Sequence, residues 1–476
     1  MKRQNGRENV QYKIRQVFMR SVLMLTVLLC GCSVAPGQGG VSNNRSEGAG
    51  DGQTYNELVS VSDNVSDNGT ESVSGNEAIL SRYESVISPM PPQVEVDRVM
   101  TEGQRVEDSS VTVPVYEMAR RELPATEAMA FAEAMHSGWN LGNTFDAVTE
   151  GEVSGAGLAL ETSWCGAITT RDVIDAVAAA GYRTIRIPVS WHNHVSGPDF
   201  EIADSWMDRV QEVVDYAYAN GLYVIINVHH DIDKDYYYPS SEYLDSSTHY
   251  MECIWAQIAA RFQNYGERLI FESVNEPRLV GTSYEWNMTA GNAQCEDAVA
   301  CINALNQTFV DVVRRSGGNN AERYLMVPGY AASVDGALHE EFVLPLDSAE
   351  NRLMVSTHAY SPYDFALQAP NGENAAFTDA GVGTVDWIMN ALYERYVSRG
   401  IPVVMGEFGA RDKDNLQDRI NFTAYYVATA WAHGIPCLWW DNNAFEGDGE
   451  LFGLLNRNRL EWTYWDLVNA MMSQLP

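Results

Sequence analysis

From Pro124 to the C-terminus, short β-branched runs alternate with amphipathic stretches, and the pattern repeats eight times. The runs are His136–Leu141, Thr184–Pro188, Tyr223–Val228, Leu269–Ser273, Tyr324–Val327, Leu353–Thr357, Pro402–Met405 and Pro436–Trp439. Helical stretches at Thr170–Ala180, Ser205–Asn220, His249–Tyr265, Ala304–Arg315, Val385–Arg399 and Leu416–His433 separate them, and Leu460–Met472 supplies a last helix. Short apolar runs alternating with helices read as parallel strands joined by helical crossovers. Gly181, Gly221, Gly400 and Gly434 each stand between a helix and the next strand, where a left-handed residue ends a helix. Eight such units over residues 124–476 predict an α/β fold of the (β/α)8 TIM-barrel type. A doubly wound sheet is the alternative, but no Gly-x-Gly-x-x-Gly phosphate loop follows any run.

A barrel of this kind builds its active site at the C-terminal ends of its strands. Polar and aromatic groups recur there. Asn143-Thr-Phe-Asp146 follows the first run, Arg186 lies on the second, and His229-His230-Asp231 ends the third. Asn275-Glu276-Pro277 ends the fourth, His358-Ala-Tyr360 the sixth, Glu407-Phe-Gly409 the seventh and Trp440-Asp441-Asn442 the eighth. Strands four and seven face each other across an eight-stranded ring, so Glu276 and Glu407 are expected about 5 Å apart, the spacing of glycosidic-bond cleavage with retention. His229 and His230 resemble half of a metal site, but no His-Glu-x-x-His and no third ligand accompany them, and no Cys-x-x-Cys pair occurs. No metal and no cofactor is expected. Asp231 and Asp441 read as supporting or solvated groups, and Trp164 and Trp191 either line the cleft or pack beneath it.

The segment Leu269-Ile-Phe-Glu-Ser-Val-Asn-Glu-Pro-Arg278 resembles the signature of glycoside hydrolase family 5. Gly138-Trp-Asn-Leu-Gly-Asn143-Thr, Thr184-Ile-Arg-Ile-Pro-Val-Ser-Trp191, Val404-Met-Gly-Glu-Phe-Gly409 and Trp439-Trp440-Asp-Asn442 are similar to that family's first, second, seventh and eighth strands. The resemblance covers Ala125–Pro476 and is greatest to subfamily 4, which holds endoglucanases, xyloglucan-specific enzymes and lichenases. It implies Glu276 as acid/base with a raised pKa and Glu407 as nucleophile. Arg186 would hold Glu407, Asn275 would bond the sugar 2-hydroxyl, His358 would tune Glu276, and Tyr360 would orient Glu407. Substrate contacts would come from His229, His230, Asn143, Trp191 and a platform at Trp440. Cys165 departs from the pattern, since many relatives carry Gly after this Trp, and residues 281–301 form a loop expected to shape the positive subsites. The implied activity is a retaining endo-β-1,4-glucanase acting on polysaccharide. Xyloglucan or mixed-linkage glucan are alternative substrates, and mannan or xylan are weaker ones. A reading from another class is a surface glycan-binding lipoprotein without turnover, disfavoured because no catalytic position is lost.

The net charge of −33 excludes a nucleic-acid partner, which needs a basic face. The N-terminus carries Lys2, Arg3, Arg7, Lys13, Arg15 and Arg20 before the apolar run Val22–Leu29, too short to span a membrane. Leu29-Cys30-Gly31-Cys32 resembles a lipobox, so residues 1–32 are expected to be a lipoprotein signal peptide that leaves Cys32 lipidated at the cell surface. Secretion with later cleavage is the alternative. Residues 33–123 contain no Trp, are rich in Gly, Ser and Asn, and include Pro89-Met90-Pro91-Pro92. They read as a disordered stalk. A carbohydrate-binding module would show more aromatics than Tyr55, Tyr83 and Tyr116. Five cysteines follow, of which Cys295 and Cys301 stand close enough in sequence to bridge a surface loop. A monomer is expected.

Overall fold

The computed structural model describes residues 101–149 and 157–476, so Cys32 and the expected signal peptide lie outside the described residues. Eight parallel strands close into one ring: β1 (Ser137–Leu141), β2 (Thr184–Ile187), β3 (Tyr223–Asn227), β4 (Leu269–Glu272), β5 (Leu325–Ser333), β6 (Leu353–His358), β7 (Val403–Phe408) and β8 (Cys437–Asp441). The ring seals where β8 pairs with β1, with Trp439 opposite Trp139. Each of the eight expected runs is a barrel strand. Their residues are nearly all buried, which is why they read as continuous apolar segments rather than alternating ones.

Apart from the single turn Tyr363–Ala366, the described α-helices are α1 (Glu127–Met135), α2 (Arg171–Ala179), α3 (Asp204–Ala219), α4 (Leu244–Arg261), α5 (Ala293–Arg315), α6 (Val334–Leu338), α7 (Asp379–Arg395), α8 (Leu416–Ala432) and α9 (Trp465–Met472). Inside the ring, Ile225, Ile270, Met326, Met354, Val404 and Leu438 pack with Phe131 and Met135 of α1, which therefore stoppers the barrel. The four glycines expected to end helices all take positive φ, between 73° and 102°.

Three sequence expectations need correction here. Helix α5 begins at Ala293, not Ala304, because the Asn292 side chain caps it by accepting from the amides of Gln294 and Cys295. The loop after β4 is correspondingly shorter. Cys295 and Cys301 then lie six residues apart on one helix, a rise of about 9 Å, beyond disulfide reach. None of the five described cysteines is in a disulfide. Helix α9 begins at Trp465 rather than Leu460, since Glu461–Trp462 pairs with Leu455–Asn456.

Gln104–Arg105 also pairs with Glu461–Trp462, so part of the segment expected to be stalk is docked on the barrel. Thr112 exchanges two hydrogen bonds with Gln417, the Tyr116 ring meets Tyr425 edge-on, and the Arg121 amide donates to Ala432. Among the described residues no helix is long and apolar enough to cross a membrane.

Candidate active site

Arg186 is fully buried on β2 and touches four residues, from β1, β7 and β4 with its C-terminal end. Nη1 donates to Glu407 Oε1 at 2.7 Å and to Asn140 Oδ1 at 3.0 Å. Nη2 donates to Asn275 Oδ1 at 2.8 Å, and Nε to Glu272 Oε2 at 2.8 Å. Burial alone would lower its pKa, but the charges of Glu272 and Glu407 raise it above the ordinary value. A guanidinium offers this planar fork of donors and stays charged when buried, which lysine does not do as reliably. It thereby fixes the side chains of β4 and β7 relative to each other.

Glu407 and His358 are neighbours because β7 shifts register after Met405, which sets Glu407 opposite His358 of β6. The Tyr360 hydroxyl donates to Glu407 Oε2 at 2.9 Å, so each oxygen of Glu407 has a partner. His358 Nδ1 lies 2.9 Å from Glu276 Oε1. One carboxylate oxygen each of Glu276 and Glu407, with a His358 nitrogen, fall within 4.8 Å of one another. Six residues expected at the reacting centre are thus brought together: Glu276, Glu407, Arg186, Asn275, His358 and Tyr360.

The protonation of Glu276 differs from the expectation of a raised pKa. Burial pushes its carboxyl up, but the hydrogen bond and charge of His358, then the charges of Arg278 and His230, outweigh it and hold it below the ordinary Glu value. Burial lowers the imidazole of His358, yet the charge of Glu407 and the bond to Glu276 leave it raised. In the free site the shared proton therefore rests on His358.

His229 is buried and its pKa lies well below the ordinary value, chiefly through burial. Its Nδ1 is 3.1 Å from the Asn227 amide nitrogen, which assigns the proton to Nε2. Its ring lies parallel to Trp440 with centroids 5.9 Å apart. Gly142 makes room for that indole, since a Cβ there would stand 2.7 Å from Trp440 Cζ2. His230 Nδ1 is 2.8 Å from the Asp146 carbonyl, and its ring lies 5.6 Å from Trp164, which is exposed. Asn143 takes a left-handed φ of 57° and stands half-buried at the end of β1.

Trp191, expected against the sugar, is instead fully buried, with Nε1 donating to the Asn227 carbonyl at 2.9 Å. It packs beneath the cleft and cannot reach a substrate. Asp231 and Asp441 are buried rather than solvated. Asp231 accepts from the amides of Trp191 and His192 and from the Tyr250 hydroxyl, and Asp441 accepts from Trp139 Nε1. The donor group Asp146–His229–His230 lies within 4.8 Å, but both Asp146 oxygens already accept backbone amides from Asn143 and Thr144.

Sequence reasoning missed three participants. Glu272 is the last residue of β4, four residues before Glu276, fully buried, and accepts from Arg186, Asn227 and Ser356. Its signal was a carboxylate inside an otherwise apolar strand. Arg278 sits 3.7 Å from Glu276 and stacks over the exposed Trp286 at 3.9 Å. Asn140 donates to the Gly406 carbonyl at 2.9 Å while accepting from Arg186.

This geometry has recognisable relatives. The sequence model described as Cellulase (glycosyl hydrolase family 5) matches residues 148–446. Endoglucanase 1 of Ruminococcus albus is 41% identical over 367 residues, 76% of this chain and 86% of that protein. A family 5 lichenase from Caldicellulosiruptor sp. F32 is 54% identical with a TM-score of 0.75, over 76% of this chain and 99% of that one. A broad-specificity endoglucanase of subfamily 4 from Ruminococcus champanellensis, solved with cellotriose, is 44% identical with a TM-score of 0.69, over 74% and 100%. With a family match across more than half its length and relatives of this closeness, the chain belongs to glycoside hydrolase family 5.

Proposed function

We propose that this chain is an endo-acting β-1,4-glucanase that cleaves by double displacement, with Glu407 as nucleophile and Glu276 as acid/base. The observation that carries the reading is the separation of their carboxylate oxygens, no more than 4.8 Å. An inverting enzyme needs about 6.5–9.5 Å to seat a water between the sugar and its base, whereas direct attack by one carboxylate needs about 5 Å.

The roles divide by environment. Glu407 is held at both oxygens by Arg186 and Tyr360, which fix its aim at the anomeric carbon. Glu276 shares a proton with His358. When a sugar displaces water from Glu276, its charged form loses solvation and the proton passes from Nδ1 to the carboxylate. In the first step Glu407 bonds to C1, the glycosidic C–O bond breaks, and Glu276 gives its proton to the leaving oxygen. Glu407 is then a neutral ester, so one negative charge near Glu276 and His358 has gone. Glu276 is left as a carboxylate able to take a proton from water. That water attacks C1 and frees Glu407. Asn275, aimed by Arg186, would donate to the 2-hydroxyl. Trp440 offers the flat face on which the C–H side of the ring stacks, and Trp164 with His230 would bind the next sugar.

The relatives named endoglucanase, lichenase and broad-specificity endoglucanase support a β-glucan substrate, with mixed-linkage glucan and xyloglucan as the alternatives within it. The test is product stereochemistry by NMR on cellotetraose, together with reducing-sugar release from carboxymethylcellulose, lichenan and xyloglucan. Retained β-configuration and loss of release in Glu407→Gln are expected. Inverted product, or full activity in that variant, would overturn the assignment. The lipobox at Leu29-Cys30-Gly31-Cys32 supports a lipid-held enzyme at the cell surface, which Cys32→Ser would release into the medium.

A further inference from the structure

We infer that Arg278 is a positioning residue for the reaction: it holds a fixed positive charge beside Oε2 of Glu276 and so favours the carboxylate that must activate water in the second step. The inference rests on Glu276 being the acid/base.

The two oxygens of Glu276 stand in different company. Oε1 faces His358 Nδ1 at 2.9 Å. Oε2 faces Arg278 Nη1 at 3.7 Å, too long for a hydrogen bond but close for two charges. Three restraints keep the guanidinium at that distance. Nη1 donates to the Glu276 carbonyl at 2.9 Å, and Nε donates to Glu285 Oε1 at 3.4 Å. The guanidinium carbon stands 3.9 Å from the centre of the Trp286 ring. A shorter bond would occupy Oε2, the oxygen left to pass a proton to the leaving group. At 3.7 Å the charge acts and the oxygen stays open.

The loop that carries these partners is itself tied down. Glu285 Oε2 accepts from the Gly281 amide at 3.0 Å. The Tyr330 hydroxyl, on β5, accepts from the Leu279 amide at 3.0 Å and donates to the Tyr284 carbonyl at 2.8 Å. The barrel therefore sets where Arg278 stands.

Glu276 is also faced by His358 and Tyr360 from β6 and its end, by Glu407 from β7, and by His230 at the end of β3. Tyr237, from the segment after β3, and Glu450, from the segment after β8, act on it as well. Burial raises the Glu276 carboxyl, and His358 and then Arg278 lower it. The imidazoles give up their charge as pH rises, whereas the guanidinium keeps it. In the second step the water oxygen bonds to C1, the ester bond from C1 to Glu407 breaks, and the water proton goes to Glu276. Arg278 keeps Glu276 in the ionised form that can accept it.

The test is the pH profile of the full chain on cellotetraose and on dinitrophenyl cellobioside, whose leaving group needs no acid. In Arg278→Gln the alkaline limb on cellotetraose should move up by roughly 0.5–1 pH unit. So should the acidic limb of kcat on the aryl cellobioside. Arg278→Lys restores the charge and should return both limbs toward their native positions. Glu285→Gln removes the counter-charge from Arg278 and should move the same limbs down. Trp286→Ala removes the stack but no charge, and should leave them in place. Unmoved limbs in an active Arg278→Gln, or upward movement in Glu285→Gln, would overturn the inference and leave Arg278 as a support for its loop. Full turnover of cellotetraose by Glu276→Gln would instead overturn the acid/base reading beneath it.

Discussion

His358 Nδ1 stands 2.9 Å from Glu276 and 3.7 Å from Glu407, so one imidazole proton faces two carboxylates. Glu407 and Glu276 raise the proton affinity of His358 although burial opposes it. The proton needed for the first chemical step is therefore retained above the ordinary imidazole value of 6.5, and the alkaline fall in activity should begin above that pH. In His358→Asn the last proton belongs to a carboxyl alone. The alkaline limb should move to lower pH, and kcat should fall by about 10- to 100-fold. A pH profile of kcat/KM on a soluble β-glucan reads both effects.

Glu272 is a fully buried carboxylate whose work is to neutralise Arg186 from below. Glu272→Gln should leave an under-compensated buried cation and destabilise the fold by about 3–5 kcal/mol. Denaturant unfolding checks this. A loss confined to kcat, with stability unchanged, would show that Glu407 alone holds the guanidinium.

His194 stacks on Trp206 with ring centroids 3.6 Å apart, and burial pushes its pKa down to about 4. It is neutral in the folded chain and gains a proton on unfolding below its ordinary value near 6.5. Its contribution to stability is thus complete above pH 6.5 and is lost as pH falls toward 4, by on the order of 2 kcal/mol. Melting temperatures between pH 7 and 4 should fall less steeply in His194→Phe, which keeps the stack without the titration.

Trp286 is exposed beside Arg278, which reaches Glu276. Its free face suits a sugar on the leaving-group side of the cleft. Trp286→Ala should lower kcat/KM on long β-glucans by about 5- to 30-fold, the scale of one lost aromatic contact. It should leave an aryl cellobioside, which has no sugar on that side, nearly unaffected.

Disulfide chemistry is absent from the described cysteines, and Cys295 and Cys301 are buried on α5. Dithiothreitol should leave the melting temperature of the protein within about 1 °C of its starting value.

The barrel was legible because its strands are buried on both faces, and such strands announce themselves as apolar runs between helices. The reacting groups were legible because they end those runs, and the end of a strand is where a barrel opens to solvent. What lies one layer deeper was not. Glu272 looks from sequence like an interruption of an apolar strand, and its purpose appears only when Arg186 of a distant segment is placed above it. Trp191 follows β2 as a cleft residue would, yet the backbone turns its indole inward to Asn227. The start of α5 was obscured because its cap, Asn292, follows a loop of similar polarity. The fate of Cys295 and Cys301 depended on that helix boundary.

The sealing of β8 onto β1 carries a last implication. Glu276 and Glu407 stand on opposite sides of the ring, and Arg186, which holds Glu407 and the Asn275 beside Glu276, comes from a third strand far away in sequence. Neither the β1–β4 half nor the β5–β8 half of the barrel holds both carboxylates, and an open sheet would separate the partners. Turnover thus reports on completion of the ring itself. During refolding, activity should return with the slowest step and later than helical signal, making hydrolysis a direct assay for the last stage of assembly.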